Sequence, residues 1–170
     1  MNNFFNKFKN YGLLELLVFS SAVYVVGMLL WTASTRSAVE EKANTVKSNH
    51  KQIVDFINSE INNCGQGDEN SKTTWGDPCN GEWLSVKVIK YVNSNMKMVN
   101  PYSSNKEILK QAQDPRLQAE GKAGQSTEMG VIFLSSQTIS SEAGSEWVIG
   151  TCVKSPCVAA GNNELTSVSR

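Results

Sequence analysis

Two patterns of apolar residues follow one another in the first part of the chain. Residues 11–31, YGLLELLVFSSAVYVVGMLLW, are apolar at most positions, and Glu15 is their single charge. Residues 32–63 contain no proline or glycine, and apolar residues recur there at helical spacing on one face: Val46, Ile53, Ile57 and Ile61. The two patterns predict one long helix over residues 11–63, apolar all round in its first half and packed on a domain in its second.

Residues 64–170 are more polar and carry the signals of short elements. The run NGEWLSVKVIKYVNSNM predicts a helix capped at Asn80, although its valines leave a strand as the alternative. The residues expected to point inward are Trp83, Val86, Ile89 and Val92.

Two strands are predicted near the end of the chain. A charged stretch of low hydrophobicity, residues 106–128, precedes MGVIFLSS (129–136) and SEWVIGTCV (145–153), which a polar turn separates. The expected fold class is therefore α+β, with the long helix packed on a small C-terminal antiparallel sheet.

Charge indicates which way the apolar segment, residues 11–31, is oriented in a membrane. Residues 1–10 carry Lys7 and Lys9 and no acid, which holds that end in the cytoplasm and sends the rest outward. A cleaved secretory signal is the alternative, since TAS (32–34) and TRS (35–37) offer small residues at a suitable spacing. The whole chain has 16 basic and 16 acidic residues, so no basic field indicates nucleic-acid binding.

Four cysteines form two close pairs beyond the apolar segment. Cys64 with Cys79 and Cys152 with Cys157 is the pairing that proximity favours, one of three possible connectivities. In an exported domain such pairs are read as disulfides.

Few residues indicate catalysis or ligand binding. The single histidine, His50, lies near the apolar face of the helix and is interpreted as a packing or surface residue. Oxygen ligands for calcium gather in the loop at 66–77, but their spacing misses the EF-hand pattern, so a solvated loop is the ordinary interpretation: Asp68, Glu69, Asn70 and Asp77. The aromatic residues are interpreted as core and loop anchors: Trp75, Trp83, Tyr91 and Trp147. We expect no enzymatic activity, metal or cofactor.

The motif YGLLELLVF resembles the type IV pilin family. In that family a short basic leader is removed, and a glutamate stands fifth in the mature chain, which places the mature start at Tyr11. The resemblance implies that Glu15 neutralises the free amine of Tyr11 on a neighbouring subunit. A carboxylate in hydrocarbon costs about 2.5–3.5 kcal/mol on insertion scales, so a plain anchor has no reason to carry one.

The processing site has three possible outcomes. The family has glycine before the cut, whereas Asn10 stands there in this chain and Gly12 lies two residues later. Cleavage between Asn10 and Tyr11, cleavage after Gly12, and no cleavage all remain open.

The expected organisation is a leader (1–10), a transmembrane and filament-core half of the helix (11–35), its amphipathic half (36–63) and a globular head (64–170). We expect a structural subunit of a pilus-like filament, located in the inner membrane as a precursor and outside the cell afterwards. By resemblance its partners are copies of itself, prepilin peptidase and the pilus assembly machinery. The alternatives are a pseudopilin of a type II secretion-like apparatus and a monomeric membrane-anchored exported domain.

Overall fold

The computed structural model describes residues 12–67, 70–104, 107–122, 128–140, 142 and 144–170. The chain forms two compact units, residues 1–40 and residues 41–170. Helix α1 (Leu13–Gln66) is the secondary structure described in the first unit, and its later residues are the first element of the second unit.

Within the second unit, α1 packs its single apolar face into the core. Val46, Ile53 and Ile57 are fully buried, and Ile61 is partly buried. This confirms the face that the helical spacing predicts. The helix ends at Gln66, slightly beyond the expected Asn63.

The segment after the first disulfide loop differs from the helix predicted from Asn80. Strand β1 (Trp83–Leu84) precedes helix α2 (Ser85–Asn95), whose N-cap residue is Leu84, without a side-chain cap. Two hydrogen bonds anchor β1 to the preceding loop. The Trp83 indole N–H donates to the Pro78 carbonyl, and the Leu84 N–H donates to the Asp77 carboxylate. The prediction of an Asn80 cap is therefore wrong.

The inward face of α2 is also partly corrected. Trp83 and Val92 are buried as expected and Ile89 is partly buried, but Val86 is 58% exposed and Val88 is buried in its place. The start of the helix at Ser85 sets which positions face the core.

The main sheet is mixed and has four strands: β2 (Leu109–Ala112), β3 (Ile132–Ser135), β5 (Glu146–Cys152) and β6 (Asn163–Ser169). They lie side by side in the order β2-β3-β5-β6. Strands β3, β5 and β6 pair antiparallel, whereas β2 runs parallel to β3. The α+β class with the long helix on a small C-terminal sheet is confirmed, and the sheet is antiparallel except for the parallel β2–β3 pair. A short strand β4 (Thr138–Ile139) pairs with β1 in a separate two-stranded sheet.

The two faces of the main sheet are covered by different helices. On one face α1 and α2 enclose a core whose fully buried members include Ile53, Ile57, Trp83, Val88, Trp147 and Ile149. On the other face lies the short helix α3 (Pro115–Ala119), which approaches β5 at Gly150. The N-cap of α3 is Asp114, whose carboxylate accepts a hydrogen bond from the Arg116 N–H.

Candidate assembly segment and head

The first turn of α1 contains an internal cap that involves Glu15. The Gly12 N–H donates to Glu15 Oε2 at 3.0 Å, and the Gly12 carbonyl accepts from the N–H groups of Glu15 and Leu16. Gly12 thus stands at the N-cap and Glu15 at the third helical position, the arrangement of the acidic half of a capping box. The sequence analysis did not predict this contact. The three-residue spacing of Gly12 and Glu15, which is that of a capping box, was the signal for it in the sequence.

The segment that follows presents apolar side chains on all sides. Large apolar residues between Leu16 and Trp31 have exposed fractions from 46% to 74% within the chain. By length and composition, α1 is the one helix in the described part of the chain that is able to cross a membrane. Exposed apolar surface of this extent is typical of a segment that meets lipid or another protein.

Of the predicted processing residues, Gly12 is described and Asn10 and Tyr11 lie outside the described residues. Gly12 is exposed, and an added Cβ at this position would meet no atom within 4 Å. The assignment of Asn10, Tyr11 and Gly12 to processing, and of Tyr11 to subunit pairing, stays a prediction.

The cysteines pair as proximity favours. Cys64 is bonded to Cys79 and Cys152 to Cys157, with Cα–Cα distances of 5.1 and 5.2 Å. The first bond ties the end of α1 to the loop that leads into β1. The second closes a tight loop between β5 and β6.

Inside the first loop, the carboxylate of Asp77 is buried and accepts hydrogen bonds from protein donors. Its side chain is 2% exposed, and its Oδ2 accepts from the Trp75 indole N–H at 3.1 Å and from the Leu84 N–H at 2.9 Å. Its Oδ1 accepts from the Lys87 ammonium. Asn70 is exposed, and Asp68 and Glu69 lie outside the described residues.

Glu60 is a second buried acid that sequence reasoning did not identify. Both of its carboxylate oxygens bind Thr74, one through the backbone N–H at 2.7 Å and one through the hydroxyl at 2.5 Å. The contact fixes the loop against α1 and uses both oxygens of the acid. Among the described residues, no group of three or more metal-ligating side chains converges.

His50 is a buried packing residue of the second unit. It is 4% exposed, and its Nε2 lies 3.0 Å from the Thr166 hydroxyl oxygen. Burial lowers the pKa of His50 below its ordinary value, and the nearby Glu164 carboxylate acts in the opposite direction.

No protein-family model matches this chain, and no curated protein sequence or solved structure does either.

Proposed function

We propose that this chain is a structural, non-enzymatic subunit of an extracellular type IV pilus-like filament that polymerises through the apolar first part of α1. The observation that carries the proposal is an apolar surface on all sides of a helix whose first turn holds the carboxylate of Glu15. The inner membrane covers this surface before assembly, and copies of the chain cover it in the filament. Prepilin peptidase and the assembly machinery follow from the resemblance to pilins.

The charge of Glu15 supports a filament over a simple anchor. Two charges that are each costly in an apolar medium become tolerable when they are paired. The free amine of Tyr11 on a neighbouring subunit is the partner of Glu15, and their pairing sets the axial register between neighbouring helices.

A monomeric membrane-anchored exported domain is the second candidate, and the hydrogen bond from the Gly12 N–H favours it. In that case Glu15 caps its own helix and needs no neighbouring subunit. A pseudopilin of a type II secretion-like apparatus uses the same assembly mechanism as a pilin but forms a short periplasmic filament.

Substitutions at Glu15 separate the two roles. A glutamine oxygen accepts the same hydrogen bond from the Gly12 N–H but carries no charge, whereas alanine loses both properties. We expect Glu15→Gln and Glu15→Ala to insert into the membrane as the wild type does and to yield few or no filaments. Electron microscopy of sheared surface material measures the yield, and Glu41→Gln, at an exposed acid further along α1, is the matched control.

The two variants together decide between the candidates. Wild-type filament yield from Glu15→Gln, combined with loss in Glu15→Ala, would mean that the cap matters and the charge does not. Absence of filaments from the wild type would support the monomeric anchor.

Processing is tested by intact mass of purified filaments. We expect a chain that begins at Tyr11, because its α-amine is the cation that Glu15 requires. A chain that begins at Met1 would overturn the cleavage proposal. A chain that begins at Leu13 would mean that Gly12 directs the peptidase.

A further inference from the structure

A groove of about 410 Å³ lies in the second unit, between the loop closed by Cys64 and Cys79 and the outer face of α2. Thr74 and Trp75 line it from the loop, and α2 contributes Lys87, Lys90 and Tyr91. The volume falls in the range of pockets that hold small ligands.

Packed aromatic rings support one wall of the groove. The ring of Tyr91 stacks on Phe56 with centroids 5.6 Å apart and planes 5° apart, and Phe56 meets Trp75 edge to face at 5.7 Å. Because Phe56 is packed against the core, Tyr91 is presented to the groove from a rigid support.

The groove carries positive charge on its rim. Lys87 contacts the buried Asp77, whereas Lys90 has no ion-pair partner among the described residues. The two lysines stand three positions apart on α2 and so are neighbours on the helix surface. No described acidic side chain lines the groove, and the Glu60 carboxylate reaches it only from behind, through Thr74. Lys90 is therefore the lining lysine whose charge is not in an ion pair among the described residues.

Neutral polar groups complete the far end of the groove. Ser94 and Asn95 are exposed and lie one helical turn beyond Lys90 and Tyr91. The Asn95 amide nitrogen donates to the Tyr91 carbonyl at 3.0 Å, which orients its side chain. The amide oxygen is then free to accept from a ligand hydroxyl.

We propose that this groove binds an acidic saccharide, with the carboxylate of one sugar at Lys90 and Lys87 and the ring against Tyr91. The hydroxyl of Ser94 and the amide of Asn95 suit the neutral hydroxyls of such a ring. An inorganic anion would use the lysines alone and leave the aromatic and amide groups without a role. All residues of the groove lie in the second unit, residues 41–170.

The test uses the full chain in detergent and calorimetric titration with a tetramer of galacturonic acid. Its methyl-esterified form is the neutral control ligand. We expect saturable binding of the acid, binding at least about tenfold weaker for the ester, and a loss of about tenfold in Lys90→Gln. Lys51→Gln, at an exposed lysine outside the groove, is the control variant and should bind as the wild type does.

Three results would overturn the proposal. They are the absence of saturable binding, equal affinity in the wild type and Lys90→Gln, and equal affinity for citrate and for the tetramer. The last result would mean a nonspecific anion patch. Lys90 is exposed, so its replacement should leave folding intact, and thermal unfolding of both variants checks this.

Discussion

The imidazole Nε2 of His50 on α1 lies 3.0 Å from the hydroxyl oxygen of Thr166 on β6, so a partly buried polar contact joins the long helix to the last strand. The other ring nitrogen, Nδ1, is buried and has no hydrogen-bond partner among the described groups. Two charged groups of the same interface, Lys47 on α1 and Glu164 on β6, form an ion pair at 3.2 Å. Burial disfavours the protonated form of His50 more than the nearby Glu164 carboxylate favours it, so the pKa of His50 is lowered.

Acid should weaken the second unit through His50. Because the pKa of His50 is lower in the folded chain than its ordinary value of 6.5, the unfolded chain binds more protons between the two values. The free energy of unfolding should then fall as the pH drops through 6.5, and this contribution should level off below the folded-state pKa.

Thermal unfolding of the full chain in detergent at several pH values measures the effect of His50. His50→Gln keeps an amide near the position of Nε2 and cannot titrate, so its unfolding temperature should change less over this range. The same pH dependence in both proteins would show that other groups cause it.

Gly150 should not tolerate a side chain. A Cβ at this position would lie 2.4 Å from the Pro115 carbonyl oxygen, which is backbone and cannot turn aside. We expect Gly150→Ala to lower the free energy of unfolding by about 1–3 kcal/mol. Gly65→Ala is the matched control, because a Cβ there meets no atom within 4 Å and alanine favours a helix by up to about 1 kcal/mol. Chemical denaturation of both variants should give changes of opposite sign, and equal changes would contradict this packing.

The two disulfides should differ in their contribution to stability. The Cys64–Cys79 bond spans 15 residues and the Cys152–Cys157 bond spans 5. In the chain-entropy model these loops correspond to about 3 and about 2 kcal/mol respectively. Pairwise replacement by alanine, followed by denaturant titration, should therefore destabilise more at the first pair. A larger loss at the second pair would mean that native contacts around its loop outweigh chain entropy.

Asn93 should be required for strand β2. From α2, its amide nitrogen donates to the Leu109 carbonyl at 2.8 Å, and its oxygen accepts from the N–H groups of Ile108 and Leu109 at 3.1 Å. Asn93→Ala leaves three backbone groups without these partners, so we expect a loss of about 2–4 kcal/mol. Asn95→Ala on the exposed side of the same helix should change stability by less than about 0.5 kcal/mol. Faster amide hydrogen exchange at Leu109 in the first variant alone would locate the effect, and unchanged exchange there would contradict it.

The strand β2 illustrates why part of the sheet could not be predicted from the sequence. Its residues, LKQA, lie in a charged stretch of low hydrophobicity and carry no alternating pattern. The strand exists because Asn93 binds one end of it and β3 pairs with it in parallel. Both partners are distant from β2 in sequence. The parallel pairing that makes the sheet mixed therefore could not be predicted from the residues of β2 themselves. The C-terminal strand β6 was not predicted either. Its sequence, NELTSVS, is mostly polar, and Val168 is its one buried residue, so it has no alternating apolar pattern.

In the first part of α1, too, some features could be predicted from the sequence and others could not. The apolar run and the position of Glu15 are properties of the sequence, and they were sufficient to predict a helix able to cross a membrane. The contact between Glu15 and the Gly12 N–H was decided by the geometry of the first turn. The groove on α2 was not predictable, because its lysines and the Thr74–Trp75 turn come together only when the first disulfide and Glu60 hold the loop.

By itself, the sequence determined the features that depend on local periodicity and proximity: the helix α1 with its buried face, the apolar segment, two strands and the favoured cysteine pairing. The tertiary structure decided the start of α2, the order and direction of the strands, and the burial of His50 and Asp77. The physical reason is that helical periodicity and short-range pairing are written in neighbouring residues. Strand pairing and the satisfaction of buried polar groups depend instead on partners that only folding brings together.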